Sequence, residues 1–242
     1  AVKPWEHADL PDEVYEDSKI AEQTIQTLRR AAKSHKPFFI AAGFLKPHLP
    51  FVCPKKYYDL YDPKTIQLSK NPSLGSHQEP ISIALKSGVR KWWKFNKGID
   101  EKNARQLIHS YMACVSFVDA QVGKVLNELD ELGLRDETIV FFLSDHGWHL
   151  GDHGHWGKAT NFELGTRTPL IISLPEMKGK KLSTNALVEF VDLYPTIADL
   201  AQIPRASYLE GNSLRPLLED PSRKWKSAVF SQYPPGKNKE GF

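Results

Sequence analysis

Cysteine is nearly missing from this sequence, with Cys53 and Cys114 the only two in 242 residues. Two thiols 61 positions apart make neither a disulfide framework nor a zinc cluster. Cys114 lies in the apolar run Met112-Ala113-Cys114-Val115 and reads as a small buried hydrophobe. No stretch approaches the ~18 consecutive apolar residues of a membrane span, and no signal peptide opens the chain at Ala1. N-glycosylation acceptors are absent as well, because Asn71-Pro72-Ser73 carries proline in the forbidden place. Charge of one sign is scarce: 32 basic residues nearly cancel 29 acidic ones, for a net +3. That balance gives no footprint for nucleic acid, although a mild basic excess is compatible with an anionic ligand. Neither nucleic acid nor membrane is an expected partner. Internal repeats and low-complexity tracts are lacking too.

What is present is a globular composition, 40% apolar, 11% aromatic and 25% charged. Residues 17–33 are predicted helical, with Ile20, Thr24, Leu28 and Ala31 at helical spacing and Asp17 or Ser18 as N-cap. The apolar run 38–44 suits a strand buried on both faces, and it ends in the stiff turn Lys46-Pro47-His48-Leu49-Pro50. Residues 51–99 form an excursion with short helical pieces, such as 54–60. Within it, Arg90-Lys91-Trp92-Trp93-Lys94 interleaves bases with tryptophans, either as a loop anchored by its aromatics or as a surface for anionic sugars. The longest helical signal runs from 101 to 132, with Leu107, Tyr111, Cys114, Val115, Val118, Val122, Val125, Leu126 and Leu129 on one face and Gly133 as terminator. Buried strands are expected at 138–143 and 169–174, a helix at 191–201 and a late strand at 228–232. Strands alternating with helices give an α/β layered fold.

The chemistry concentrates at 141–158, Phe-Phe-Leu-Ser-Asp-His-Gly-Trp-His-Leu-Gly-Asp-His-Gly-His-Trp-Gly-Lys. A strand delivers Asp145 and His146 to its C-terminal edge, where open α/β sheets place ligands. Four histidines between 146 and 155, interleaved with glycines, are more than a structural loop usually needs. An oxygen-loving dication would be satisfied by Asp145, with His146 or another donor completing the shell. Lys158 adds a fixed positive charge beside it. One Asp and one His cannot hold a metal alone, so further ligands must come from elsewhere. His149, His153 and His155 either line the pocket or hydrogen-bond within the loop, where His153 and His155 could orient ligands. His7, His35, His77 and His109 read as surface residues.

These pieces resemble the type I sulfatases of the alkaline-phosphatase superfamily. The 141–158 segment is similar to their second metal motif, and 46–50 to their K-P-H-x-P turn. Ser110 to Lys124 resembles their long helix, Thr168-Pro169-Leu170-Ile171 the following strand, and Val191-Asp192-Leu193-Tyr194-Pro195-Thr196 their V-D-[LI]-x-P-T helix, with Ser231-Gln232-Tyr233-Pro234 a shorter match. Order and spacing are most similar to the iduronate-2-sulfatase subgroup, in which His follows the metal Asp. The resemblance implies an alkaline-phosphatase-like layered fold with a mostly parallel or mixed central sheet flanked by helices, present here as a partial domain. It implies a calcium-dependent sulfuric ester hydrolase acting on a sulfated sugar such as a 2-O-sulfated uronate, in the degradation of glycosaminoglycans or sulfated polysaccharides. Residue by residue, Asp145 and His146 would be calcium ligands, and Lys158 would contact the sulfate. His48 would act as acid on the leaving oxygen, and Trp148 would form the pocket wall. An exported, periplasmic or lysosomal compartment is the family expectation.

The nucleophile does not fit this chain. The family uses a formylglycine made from the Cys or Ser of a [CS]-x-P-S-R motif, and neither cysteine has that context. Glu219-Asp220-Pro221-Ser222-Arg223 carries the tail alone, downstream of the metal loop, and reads as a polar turn. The family's Asp-Asp pair is also absent. The chain is either a piece of a longer protein or a degenerate homologue; its start at Ala1 and its ragged end lead us to expect the piece, inactive by itself, partnered by the missing N-terminal portion. Residues 1–205 would then be the C-terminal part of the sulfatase α/β domain, and 206–242 the start of a smaller subdomain. Two rival readings stand beside this one: a phosphonate or phosphodiester hydrolase of the same superfamily, and a non-catalytic anionic-glycan module using residues 90–94.

Overall fold

The computed structural model describes residues 3–73, 88–89, 98–177 and 179–232. The basic and tryptophan-rich cluster at 90–94, His77 and the end of the 231–234 match lie outside the described residues. The chain divides into two compact units, Ala1–Glu176 and Met177–Phe242.

The first unit is built on two long helices. α1 (Glu16–Ser34) forms where the sequence predicts, but its N-cap is Tyr15 and no side chain caps it. Asp17 and Ser18 sit inside the first turn and are buried. Three short elements accompany them: the two-residue strand β1 (Trp5–Glu6), ahead of α1, pairs in parallel with the two-residue β2 (Phe51–Val52), and α2 (Lys55–Tyr58) realises the short helical piece expected at 54–60. α3 (Glu101–Glu131) is capped by Asp100, which accepts from the Asn103 N–H at 2.8 Å, and it stops before Gly133, whose φ of 67° only glycine adopts freely. α1 and α3 pack together. Arg29 grips the Glu128 carboxylate through two 2.8 Å bonds, and Ser18 donates to Gln121 at 2.9 Å. The core gathers Phe51, Cys53, Leu107, Ala113, Cys114 and Phe117, all fully buried.

The α3 face shifts in part: Leu107, Cys114 and Leu129 are buried as expected, whereas Val115 is 41% exposed and Ala104, Ile108, Ala113 and Phe117 join the buried side. His109 is buried, not on the surface: it stacks on Tyr58 at 3.6 Å and bonds its carbonyl at 2.9 Å. His7 is likewise half-buried, with its Nε2 3.0 Å from Ser110 Oγ.

The apolar runs behave differently from expectation. β3 (Val140–Leu143) and β4 (Leu170–Ser173) form an antiparallel pair, Val140 opposite Ser173 and Leu143 opposite Leu170. Yet Phe142, Leu143 and Ile171 are 42%, 40% and 60% exposed. Residues 38–44 form no strand, and Phe39 is 77% exposed. Both runs have the composition of strands covered on two faces. Among the described residues, no strand pairs with the 38–44 backbone.

The second unit holds α5 (Leu193–Leu200) and α6 (Arg215–Glu219), while α4 (Glu163–Thr166) belongs to the first. The late strand expected at 228–232 does not form; Phe230 is exposed, and its N–H donates to Glu189 at 3.0 Å. Of the 219–223 segment, Glu219 ends α6 and the rest turns, with Asp220 accepting from both the N–H and the hydroxyl of Ser222. Among the described residues, no helix is long and apolar enough to cross a membrane.

Candidate active site

β3 ends at Leu143, and the chain turns at once into the glycine- and histidine-rich loop. Ladder-like bonds close this loop on itself: His149 N–H to the Gly157 carbonyl at 2.8 Å, and Gly151 N–H to His155 at 2.9 Å. Gly147 lies hard against α4, where its N–H donates to Gly165 and an added Cβ would stand 2.2 Å from the Leu164 carbonyl oxygen. Only glycine allows that approach. Trp156, 6% exposed, anchors the loop in the core of the first unit.

Asp145, just beyond the strand, projects its carboxylate outward; the side chain is 82% exposed. His146 Nδ1 lies 2.8 Å from the Gly147 carbonyl, an acceptor, so that nitrogen carries the proton. Its Nε2 lone pair therefore receives the Lys158 ammonium at 2.7 Å, with an Asp145 oxygen 3.4 Å away. His48 comes from the distant 46–50 turn. Its Nδ1 donates to the Leu49 carbonyl at 2.7 Å, which leaves Nε2 as the nitrogen open to a ligand. Trp148 joins the two parts: its ring centroid lies 6.1 Å from that of His48 and 6.4 Å from that of His146. The structure thus brings Asp145, His146 and Lys158 into one group and places His48 across the Trp148 ring.

The other imidazoles have a different use. His149 and His155 are fully buried, edge to face at 4.9 Å, and His149 Nε2 meets Thr160 Oγ1 at 2.8 Å. His153 stacks on Phe162 at 4.7 Å. The histidine count that suggested a crowded pocket is thus largely the inner packing of the loop. Burial holds the His149 ring below its usual value of 6.5. As pH falls, the unfolded chain binds the proton first. The His149 contribution is therefore full above about 6.5 and lost as pH drops through the folded-state value. The urea-midpoint gap between the parent chain and His149→Gln is expected to shrink between about pH 7.5 and 5.5; a gap independent of pH would contradict this.

Sequence reasoning missed what holds the 46–50 turn. Asp17, read as a cap, is 1% exposed and accepts the backbone N–H groups of Leu45 at 2.6 Å and Lys46 at 3.2 Å. The Lys46 ammonium folds back onto the carbonyls of His48 and Pro50, at 3.1 and 2.8 Å. An aspartate at a helix start looks the same whether it caps its own helix or grips another segment, so no local signal could have separated the two. Asp17→Ala strands two donors and is expected to cost about 1–3 kcal/mol in urea unfolding, with Asp17→Asn recovering part of it. Equal midpoints for all three proteins would refute the clamp.

A carboxylate and an imidazole stand at a strand's end, with an ammonium beside them and a second imidazole across an indole, on a partial α/β fold of the alkaline-phosphatase-like class. The sulfatase family model matches residues 3–203. The chain is 35% identical to mouse iduronate 2-sulfatase over 83% of this chain and 42% of that protein. It is 33% identical to human iduronate 2-sulfatase over 96% of this chain and 52% of that protein. Among solved structures, a phosphonate monoester hydrolase from Silicibacter pomeroyi superposes with a TM-score of 0.75 at 26% identity, over 90% of this chain and 44% of that one. The chain belongs to the sulfatase family. It spans about half the length of the curated relatives it matches.

Proposed function

We propose that the whole protein is a sulfuric ester hydrolase acting on a sulfated sugar, with a 2-O-sulfated uronate as the leading candidate, and that this chain supplies one side of its site. The observation that carries the reading is the group formed by Lys158, His146 and Asp145, faced by His48 across Trp148. Its charges match the reaction: sulfate-ester cleavage develops negative charge on the sulfuryl oxygens and on the leaving oxygen. Lys158 is the fixed cation for the sulfuryl group. His48, its Nδ1 held by the Leu49 carbonyl, turns Nε2 to the leaving oxygen as the proton donor, and Trp148 walls the sugar.

Asp145 and His146 fit a corner of a calcium shell. The exposed carboxylate offers oxygen donors, and the imidazole one nitrogen. Two residues fall short of the six to eight ligands calcium takes, and no group of three or more metal-ligating side chains occurs among the described residues. The remaining donors and the formylglycine nucleophile belong, in this reading, to a preceding part of the same protein. Calcium held there would supply positive charge beside the sulfuryl oxygens. A lone pair serves one partner at a time, so an Nε2 that ligates releases the Lys158 ammonium to an anion. From the family pattern we place the whole protein outside the cytoplasm or in a lysosome.

The test is a parallel assay of the whole protein on an aryl sulfate and an aryl phosphodiester. Preference for the sulfate by tenfold or more in kcat/KM is expected. Preference for the phosphodiester would move the assignment to the phosphonate-hydrolase chemistry.

A further inference from the structure

The 46–50 turn carries two basic side chains, and the sulfatase reading uses only His48. Lys46 has a different use. Pro47 and Pro50 bring no N–H to the turn, so few backbone donors remain to close it. The Lys46 ammonium takes that place, donating to the His48 carbonyl at 3.1 Å and to the Pro50 carbonyl at 2.8 Å. Those two oxygens flank the Leu49 carbonyl, which is the group that holds His48 Nδ1 at 2.7 Å. Lys46 is itself anchored, because its N–H and that of Leu45 both run to the buried Asp17 carboxylate. A line of contacts thus leads from a buried carboxylate, through Lys46, to the imidazole.

We propose that Lys46 is a positioning residue for His48. By fixing the peptides on either side of Leu49, its ammonium sets the carbonyl that orients the His48 ring and so aims Nε2 at the leaving oxygen. The role rests on the reading of His48 as the acid. Lys46 touches no reacting atom in it, since its ammonium is directed into the turn. Aim is costly to lose: displacing a reacting group by ~1 Å can lower a rate about 10²-fold. A proton donor matters most where the leaving oxygen is basic, and least where the leaving anion departs unaided. The effect of Lys46 must therefore grow with leaving-group basicity. A residue acting on the sulfuryl group would instead cost a similar factor on every ester.

The test measures kcat/KM of the whole protein on aryl sulfates whose leaving groups run from 4-nitrophenol through phenol to 4-methoxyphenol. His48→Ala and Lys46→Met are both expected to steepen the fall of kcat/KM with leaving-group basicity. For Lys46→Met the loss should stay below about threefold on the 4-nitrophenyl ester and exceed about tenfold on the 4-methoxyphenyl ester, a part of the 10²–10⁴ that a general acid supplies. Lys46→Arg, which keeps donors for the carbonyls, should return part of the slope. The two losses should not multiply: with His48 replaced by alanine, Lys46→Met should cost less than about threefold more. Lys46 is removed from the role if its variant loses one factor on every ester while His48→Ala steepens the series, or if the losses multiply. A series left unsteepened by His48→Ala would remove His48 as the acid, and the role of Lys46 with it. The slope does not depend on the fraction of protein folded, and Lys46→Gln is read instead if the methionine variant yields no folded protein.

Discussion

Lys158→Ala in the whole protein is expected to lower kcat by about 10²–10³-fold, or roughly 3–4 kcal/mol of transition-state stabilisation. The reason is local. The ammonium bonds His146 Nε2 at 2.7 Å, so its removal leaves the loop's ladder, its Trp156 anchor and the buried His149–His155 pair in place. The loss should therefore fall on turnover, with far-UV circular dichroism and the unfolding midpoint unchanged. Lys158→Arg keeps the charge but spreads it over a planar fork, and should recover only part of the rate. A loss below fivefold for the alanine variant would remove Lys158 from the chemistry.

The second large effect concerns stability. In the second unit, Asp192 is fully buried, and both of its oxygens lie 2.8 Å from the Lys226 ammonium, which also holds Glu189 at 2.7 Å. Asp192 further accepts the backbone N–H groups of Glu189 at 2.9 Å and Asn212 at 2.8 Å, so the carboxylate fixes the entry to α5. Lys226→Met leaves that buried charge without its cation, a change that costs about 3–5 kcal/mol. Hydrogen exchange should show lost protection across α5 and none across α3. Lys226 also holds the Glu189 carboxyl below its ordinary 4.5 through their hydrogen bond. A depressed carboxyl stabilises above the unfolded value and ceases to do so as pH falls through the folded one. The parent chain should thus lose α5 protection below about pH 4.5, and the variant should show a weaker dependence. Unchanged exchange in Lys226→Met would mean that the cluster is dispensable.

How much of this was legible in the sequence depends on whether the deciding contact was local. α1 and α3 follow from apolar spacing of three to four residues, and the end of α3 from Gly133, each a signal local to its own element. The strand-to-loop position of Asp145 and His146 follows from one apolar run meeting a glycine-rich stretch. What failed depended on distant partners. His109 was misread because the Tyr58 ring that buries it is 51 residues away. The runs at 38–44 and 140–143 have strand composition, but burial needs elements packed on both faces, which no local pattern supplies. The histidine-rich loop misled in the opposite direction: a buried imidazole that packs and one that binds look alike in sequence.

The most direct test of the account is a crystal structure of the whole protein with calcium and inorganic sulfate. The account predicts an anomalous calcium peak bonded to an Asp145 oxygen and to His146, with a sulfate oxygen hydrogen-bonded to Lys158 Nζ and His48 Nε2 facing the same anion. Calcium bound away from Asp145, or sulfate seated out of reach of Lys158, would contradict it.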